Sequence, residues 1–566
     1  MRIALAQINP LVGDLEGNAD LIITACDKSI EKNSNLLLTP ELSLWGYPPR
    51  DLLLSKSHLL QQKVALNKIS TNLTKKHSSL NLLIGIAEEV NDARSPKLFN
   101  SIALIDKNGY KVISRKQLLP SYDVFDEKRY FRPALETGIL ELQSNGKLWK
   151  IGITICEDLW VEESLHKQRL SGPDPIKELI SKNINLLVNL SASPFSQKKE
   201  SLRRDLAIGA VKKLGCPMIY LNQVGGNDEL IFDGASFVLN SKANTVLKLP
   251  SYCEAIEIWD SEERGVKEYS SEVKPLSQEK LFQALVLGVR DYAYKCHFDT
   301  ALVGLSGGID SSLVAIIASA ALGADKVTGV MMPSPWSSEG SSSDAIELAQ
   351  RLGIATHKIP IQNLMASFNT ALAKPLKEPP EGITAENLQS RIRGILLMAL
   401  SNQEGHLLLS TGNKSELAVG YCTLYGDMNG GLSVIGDLYK TCIFDLCNWI
   451  DSPAAYDCRR SKGLPSSGSI VGRQILEKAP SAELRPGQLD TDSLPDYLIL
   501  DRILKALIEE KESLHQLIEK GEDPDLVNRI QTLLKKGEFK RRQSAPVLKV
   551  SHQAFGSGWR LPIATL

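Results

Sequence analysis

The chain has 566 residues, 43% of them hydrophobic and 23% charged, with a formal net charge of −1. At roughly 150 residues per domain, this length calls for about three to four folding units of an ordinary globular protein. Near-neutral charge offers nucleic acids and membranes no electrostatic handle, and no apolar run approaches the ~18–20 residues of a membrane span.

The first residues, MRIALAQINPLVGD, read as a short strand and a turn, without the long apolar region of a secretion signal. Nine cysteines lie scattered at 26, 156, 216, 253, 296, 422, 442, 447 and 458, with no Cys-x-x-Cys pair and no zinc-like spacing. They read as reduced thiols in a cytoplasmic protein. Residues 1 to about 260 alternate helical stretches with β-type runs at 2–7, 36–39, 82–87, 101–106, 150–155, 184–189, 217–221, 235–239 and 254–259, a spacing that predicts an α/β sandwich. The polar stretch 261–280, with the lone Pro275, is the expected linker between a domain at 1–260 and a region at 281–566.

Cys156 ends the apolar run 151–155 and precedes Glu157-Asp158-Leu159-Trp160. A cysteine where strand passes to turn is placed as a nucleophile, because backbone N–H groups there help to form an oxyanion hole. A thiolate needs a base and a positive neighbour, and none of the eight histidines sits in a persuasive motif. The chain offers instead Glu41, directly after the run 36–39, and Lys116 in SRKQLLPSYDVFDE. Singly, each is ordinary: a solvated charge, or a cysteine filling core.

Together and in this order, Glu41, Lys116 and Cys156 resemble the Glu-Lys-Cys triad of the nitrilase superfamily over residues 1 to about 250. The resemblance implies an α-β-β-α sandwich, with Glu41 as general base, Lys116 as stabiliser of the tetrahedral oxyanion and Cys156 as nucleophile. Lys116 beside carboxylates stays protonated, which suits that role. Glu127, in VFDEKRYF, matches the second glutamate that family members place beside the triad. Tyr122, Glu157, Ser193 and Lys199 match the glutamine-binding positions of the glutaminase branch, although Ser193-Pro194 also reads as an ordinary turn.

After the linker, a long amphipathic helix from Leu281 leads to a β-type run at 300–305 and a helix pattern at 311–322. Between them lies Gly304-Leu305-Ser306-Gly307-Gly308-Ile309-Asp310-Ser311-Ser312. Adjacent glycines let the backbone turn tightly and a ligand approach its N–H groups, while the helix start favours an anion. Ser306, Ser311 and Ser312 add hydroxyl donors, and Asp310 adds a carboxylate able to hold Mg²⁺ against phosphate oxygens. This predicts a pyrophosphate cradle without the Walker string. Further strands at 326–332, 356–361 and 407–411, with a helix at 343–352, predict a doubly wound parallel sheet with ligands at its carboxyl ends. The glycine-rich stretch 426–436 reads as a mobile loop, and 504–536 as charged and helical. A second acidic loop, Thr411-Gly412-Asn413-Lys414-Ser415-Glu416, follows the run 407–411, so Glu416 is placed to share Mg²⁺ with Asp310 and Thr411 to meet a nucleotide.

The string SGGIDSS resembles the signature of the ATP pyrophosphatases, Rossmann-like enzymes that split ATP into AMP and pyrophosphate. With STGNKSELAVGY, GDLYKT, PSAELRPGQLDTDSLPDY and FKRRQ, the region resembles the NAD synthetases over most of 281–566. That resemblance implies Met331 and Thr411 near ATP, and Asn387, Glu416 and Lys540 at deamido-NAD. The basic run Lys540-Arg541-Arg542 is then expected to meet a phosphate-bearing dinucleotide rather than nucleic acid. An amidase fused to such a synthetase implies ammonia released from glutamine, passed internally and used to amidate deamido-NAD after adenylation by ATP, in a homo-oligomer. Two other readings stand beside it: an ATP pyrophosphatase acting on another acid or on RNA, and a non-catalytic nucleotide sensor.

Overall fold

Apolar runs too short for helices pair off here as strands. The computed structural model, which describes residues 1–566 except 78, 91, 93, 164–169, 263–275 and 566, divides into two units, Met1–Lys274 and Pro275–Leu566.

In the first unit the strands are β1 (Arg2–Gln7), β2 (Leu36–Leu38), β3 (Asn81–Glu89), β4 (Leu98–Asp106), β5 (Gly109–Arg115), β6 (Gly138–Ser144), β7 (Lys147–Ile155), β8 (Leu186–Ser191), β9 (Met218–Asn222), β10 (Val224–Asn227), β11 (Leu230–Asp233), β12 (Phe237–Leu239), β13 (Thr245–Lys248) and β14 (Ala255–Asp260). They form two mixed six-stranded sheets, in the orders β14-β1-β2-β3-β4-β5 and β13-β12-β9-β8-β7-β6, with β10 and β11 as a separate hairpin. Strand alternation divides each run between two cores. Ile3, Leu5, Leu36, Leu38 and Leu83 face a core shared with Ile151, Ile153, Val188, Leu190 and Ile219 of the second sheet. Ala4, Ala6, Leu37, Leu82 and Ile84 face helices α1 (Leu15–Glu31) and α2 (Lys56–Lys76). Leu187, Met218 and Tyr220 face α3 (Pro175–Ile180) and α4 (Lys199–Leu214). The result is the expected α-β-β-α sandwich.

The second unit opens with α5 (Ser277–Lys295), which starts inside the stretch expected as linker; residues 263–275 of that stretch lie outside the described residues. Strands β15 (Ala301–Gly304), β16 (Val327–Met331), β17 (Ala355–Lys358), β18 (Leu407–Ser410) and β19 (Leu432–Ser433) form an all-parallel sheet in the order β17-β16-β15-β18-β19. Helix α6 (Ile309–Leu322) packs with α5 beside the sheet, α7 (Glu339–Leu352) lies on β16 and β17, and α9 (Gly382–Glu404) lies on β15 and β18 with α8 (Gln362–Leu376) against it. The chain winds outward from β15 through β16 to β17, then returns to β18 on the other side. The switch point therefore falls between β15 and β18, where the two candidate loops leave the sheet.

One expectation changes. The stretch 426–436 is not a loose loop: it contains β19, and Leu432, Val434 and Ile435 are fully buried. Its glycines serve close packing, since a Cβ on Gly430 (φ +150°) would meet Ser410 N at 3.0 Å and Leu408 O at 3.1 Å. Gly85 on β3 does the same for the first unit. A Cβ there would fall 2.1 Å from Leu42 N, 2.6 Å from Pro40 O and 2.8 Å from the carbonyl carbon of Glu41. Gly85→Ala is thus expected to destabilise the amino-terminal unit by about 1–3 kcal/mol, the usual cost of overpacking. Thermal unfolding checks this, and an unchanged transition would show that the segment carrying Glu41 yields freely.

Candidate active sites

Strand β7 ends at Ile155, and Cys156 takes φ +45°, a left-handed conformation rare for a side chain of this kind. The buried Asp158 carboxylate holds the turn. One oxygen accepts the Ile155 N–H at 3.0 Å, and the other accepts the Gln117 and Leu118 N–H groups at 3.0 and 2.9 Å. One side chain so ties the cysteine turn to the segment carrying Lys116.

Lys116 is fully buried, and its ammonium lies 2.6 Å from Glu41 Oε1 and 2.8 Å from Glu127 Oε1. Asn100 Nδ2 donates to Glu41 Oε1 at 2.7 Å, and the Ala192 N–H donates to Glu41 Oε2 at 2.9 Å. Tyr47 donates its hydroxyl proton to Glu127 Oε1 at 2.7 Å. Burial alone would lower the Lys116 pKa, but the charges of Glu127 and Glu41 outweigh it and hold the ammonium well above its ordinary value. Burial, opposed by Lys116, brings Glu127 up to about 7. Burial and then the charge of Glu41 push the Cys156 thiol up, against the pull of Lys116. Burial thus favours the thiol over the thiolate at Cys156. Glu41, Lys116, Glu127 and Cys156, far apart in sequence, stand together.

Glu157, next to the cysteine, accepts the Tyr122 hydroxyl at 3.0 and 3.1 Å. The Lys199 ammonium lies over the rings of Phe125 and Trp160, 5.4 and 5.5 Å from their centroids. Burial and the charge of Arg203 lower Lys199 to about 8. Ser193 is more than a turn residue. Arg203 donates to its Oγ at 3.1 Å and its carbonyl at 2.7 Å while paired with Asp233 at 2.7 Å, and the Ser193 N–H reaches Asn222 Oδ1 at 2.8 Å. Sequence reasoning missed Arg203, Asn100 and Asp158, because an Arg in KESLRRD or an Asn in a strand carries no signal of burial.

In the second unit Gly307 takes φ +74°, and a Cβ there would strike Ser341 O at 2.1 Å. Gly304 ends β15, Leu305 is buried, and Ile309 starts α6. The serine hydroxyls serve the loop itself: Ser311 and Ser312 donate to Gly308 O at 3.1 and 2.8 Å, and Ser306 Oγ accepts the Gly308 N–H at 3.3 Å. The expected hydroxyl donors are thus engaged within the loop, Ser306 and Ser311 also with each other at 3.1 Å.

Asp310 and Glu416 come together as expected, yet a third group stands between them. Lys440 donates to Asp310 Oδ2 and lies 3.7 Å from Glu416 Oε1, while Asn413 Nδ2 donates to Asp310 Oδ1 at 3.1 Å. Burial and the charge of Asp310 raise Glu416 to about 8 against Lys440, and the carboxylates, outweighing burial, raise Lys440. Lys440 stands in the GDLYKT motif without having been marked for the site. Two hard carboxylates against one ammonium suit a further cation of the Mg²⁺ type. Among the described residues no group of three or more His, Cys, Asp or Glu gathers to hold a metal, so phosphate and water would complete such a shell.

Met331 ends β16, Thr411 directly follows β18, and Asn387 on α9 accepts the Thr423 hydroxyl at 2.8 Å. Lys540 donates to Gly420 O and Cys422 O, both at 2.7 Å, which brings it to the same 420–423 segment. The other two basic residues are otherwise engaged. Arg541 is buried and donates to Leu417 O and Ala418 O at 3.1 and 2.7 Å, closing the carboxyl end of helix α10 (Lys414–Val419), and Arg542 pairs with Glu538 at 2.9 Å. A phosphate is not needed to account for them.

Removing Lys440 would leave two carboxylates facing each other without a counter-charge. Lys440→Met should destabilise the carboxy-terminal unit by roughly 3–5 kcal/mol, read as a lower urea midpoint; a loss under about 1 kcal/mol would show that the pair does not depend on it.

Residues 2–258 match the family described as carbon-nitrogen hydrolase, and residues 281–544 that described as NAD synthase. A glutamine-dependent NAD(+) synthetase of Synechocystis sp. is 48% identical over 99% of this chain and 98% of its own length. Another, of Thermotoga maritima, is 38% identical over 100% of this chain and 98% of its own. The solved structure of glutamine-dependent NAD+ synthetase from Acinetobacter baumannii in complex with ADP is 35% identical, with a TM-score of 0.74 and coverage of 99% of this chain and 98% of that one. With full-length likeness and both site clusters assembled, the chain belongs to the glutamine-dependent NAD(+) synthetases.

Proposed function

We propose that the chain amidates deamido-NAD to NAD with ATP and glutamine, each unit supplying one half of the chemistry. The observation that carries this reading is that one chain holds both a buried Cys-Glu-Lys set and a Gly-Gly loop facing an acidic pair at a sheet's switch point. Glu41 takes the Cys156 proton, the sulfur attacks the side-chain carbonyl carbon of glutamine, and Lys116 stabilises the oxyanion. Collapse breaks the C–N bond, releases NH₃ and leaves a thioester, which water then hydrolyses. Tyr122, Glu157, Ser193 and Lys199 hold the glutamine.

In the other unit the loop 304–312, with Met331 and Thr411, holds ATP, and Asn387, Glu416 and Lys540 hold deamido-NAD. The nicotinate carboxylate, a poor electrophile, attacks the α-phosphorus of ATP and expels pyrophosphate. Ammonia then displaces AMP. Asp310 and Glu416 would hold Mg²⁺, which, when bound, neutralises phosphate charge. All nine cysteines are free thiols, which supports a cytoplasmic enzyme. Among the described residues no helix is long and apolar enough to cross a membrane.

Cys156→Ala is expected to abolish NAD formation from glutamine while formation from added ammonia continues. Asp310→Asn should lower synthesis at least ~10²-fold with either nitrogen source, leaving glutamine hydrolysis measurable. Loss of the ammonia-driven reaction in folded Cys156→Ala protein would overturn the division of labour.

The assembly is a homo-oligomer on this reading, and its support is a set of exposed apolar side chains on two neighbouring helices. Ile383 (75% exposed), Ile395 (58%) and Met398 on α9, and Leu364 and Leu376 on α8, lie open to solvent. A second copy of the chain is the expected cover, in a closed symmetric pair. Light scattering at assay concentration checks it, and a fully active monomer of 62.2 kDa would refute it.

A further inference from the structure

The carboxylate of Glu41 is approached by more than its lysine. Asn100, fully buried on β4, donates from Nδ2 to Glu41 Oε1 at 2.7 Å, and its backbone carbonyl accepts the Lys116 N–H at 2.9 Å. One residue so grips the proposed base directly and the proposed oxyanion partner through its backbone. The other end of the amide tells what that grip is worth: Asn100 Oδ1 is buried and has no hydrogen-bond partner among the described residues. A buried, unpaired amide oxygen is costly, and leucine would fill a similar volume without it. Packing alone gives no reason for an amide here, whereas a donor aimed at a carboxylate does.

We propose that Asn100 is a positioning residue of the amidase, fixing the orientation and the charged form of Glu41 so that its second oxygen, which also accepts the Ala192 N–H, receives the Cys156 proton. The proposal rests on Glu41 being the general base. The remaining groups around Glu41 make this donor matter. Lys116 favours the charged form but is shared with Glu127, while Glu127, Cys156, Glu157 and Tyr47 add negative or proton-holding neighbours. The Ala192 N–H engages Oε2. Asn100 is the side-chain amide that adds donation without adding charge.

The test is the pH profile of glutamine hydrolysis in the full-length protein, for wild type, Asn100→Leu, Asn100→Asp and Glu41→Gln, with ammonia-dependent NAD formation and thermal unfolding followed on the same preparations. A hydrogen bond to the charged form favours that form. Losing the donor should therefore move the acid limb upward by about one pH unit or more, a tenfold loss per unit below the limb, with rates recovering toward wild type above it and KM for glutamine little changed. Asn100→Asp, which offers an acceptor in the same shape, should move the limb further, and it carries the test if the leucine variant does not fold. A uniform loss at every pH with the limb in place would make Asn100 merely structural and overturn the proposal; so would unchanged profiles. Glu41→Gln separates the two ideas. Inactive Glu41→Gln with unmoved Asn100 limbs defeats the positioning role alone, whereas an active Glu41→Gln removes the general base on which it rests.

Discussion

Taking a lysine ammonium out of water costs several kcal/mol unless opposite charge meets it, and in each unit two carboxylates do so. Lys116 sits between Glu41 and Glu127 in the first unit, and Lys440 between Asp310 and Glu416 in the second. These pairs decide where the surrounding chain can go, since every segment supplying a charge must converge on one point. The two clusters differ in access. The side chains of Lys116 and Glu41 are wholly buried, while those of Asp310 and Glu416 are each 18% exposed. The first is closed to solvent; the second, at the carboxyl edge of a parallel sheet, is partly exposed.

Convergence on Lys116 is what the sandwich is built to provide. Glu41 follows β2, Asn100 lies on β4, Lys116 follows β5, Cys156 follows β7, and the Ala192 N–H follows β8. Strand ends from both sheets thus meet at one rim, where backbone groups not used in sheet pairing are free for side chains. Asp158 uses three of them at once. Gly85 contributes by absence, leaving the room that the Glu41 peptide occupies. Support of this kind keeps reacting groups within the tolerance that proton transfer requires.

What could be read from the sequence follows the same physics. Runs buried on both faces, such as those of β1, β3 and β8, announce themselves by a largely apolar composition. Strands β5 (GYKVISR) and β6 (GILELQS) mix charge with β-formers and were not marked. The candidate site residues were legible where a family resemblance or a loop following a strand marked them: Glu41, Lys116 and Cys156 come together, and Asp310 meets Glu416. Residues acting through burial were not. Nothing in the string distinguishes Arg203 or Asn100 from a surface residue, and Lys440 went unmarked inside a motif. The reverse errors share one cause. A glycine-rich stretch became a packed edge strand, and Arg541 became a helix cap, because composition reports what a residue can do and not which partner the fold supplies.

The state of the sulfur also bears on how ammonia leaves. With burial and Glu41 holding Cys156 as a thiol, one proton suffices for the first half of the reaction, provided that it stays in the site. In the proposed reaction it passes from sulfur to Glu41 as the C–S bond forms, and from Glu41 to the departing nitrogen as the C–N bond breaks, so that NH₃ forms without a proton from solvent. Lys116, held protonated by its two carboxylates, would on that proposal stand outside the exchange and keep its charge for the oxyanion. A histidine base near neutral pH would trade protons readily with water. A buried carboxylate between a lysine and an amide is shielded from that trade, and the amine it releases is the neutral nucleophile that the synthetase step consumes.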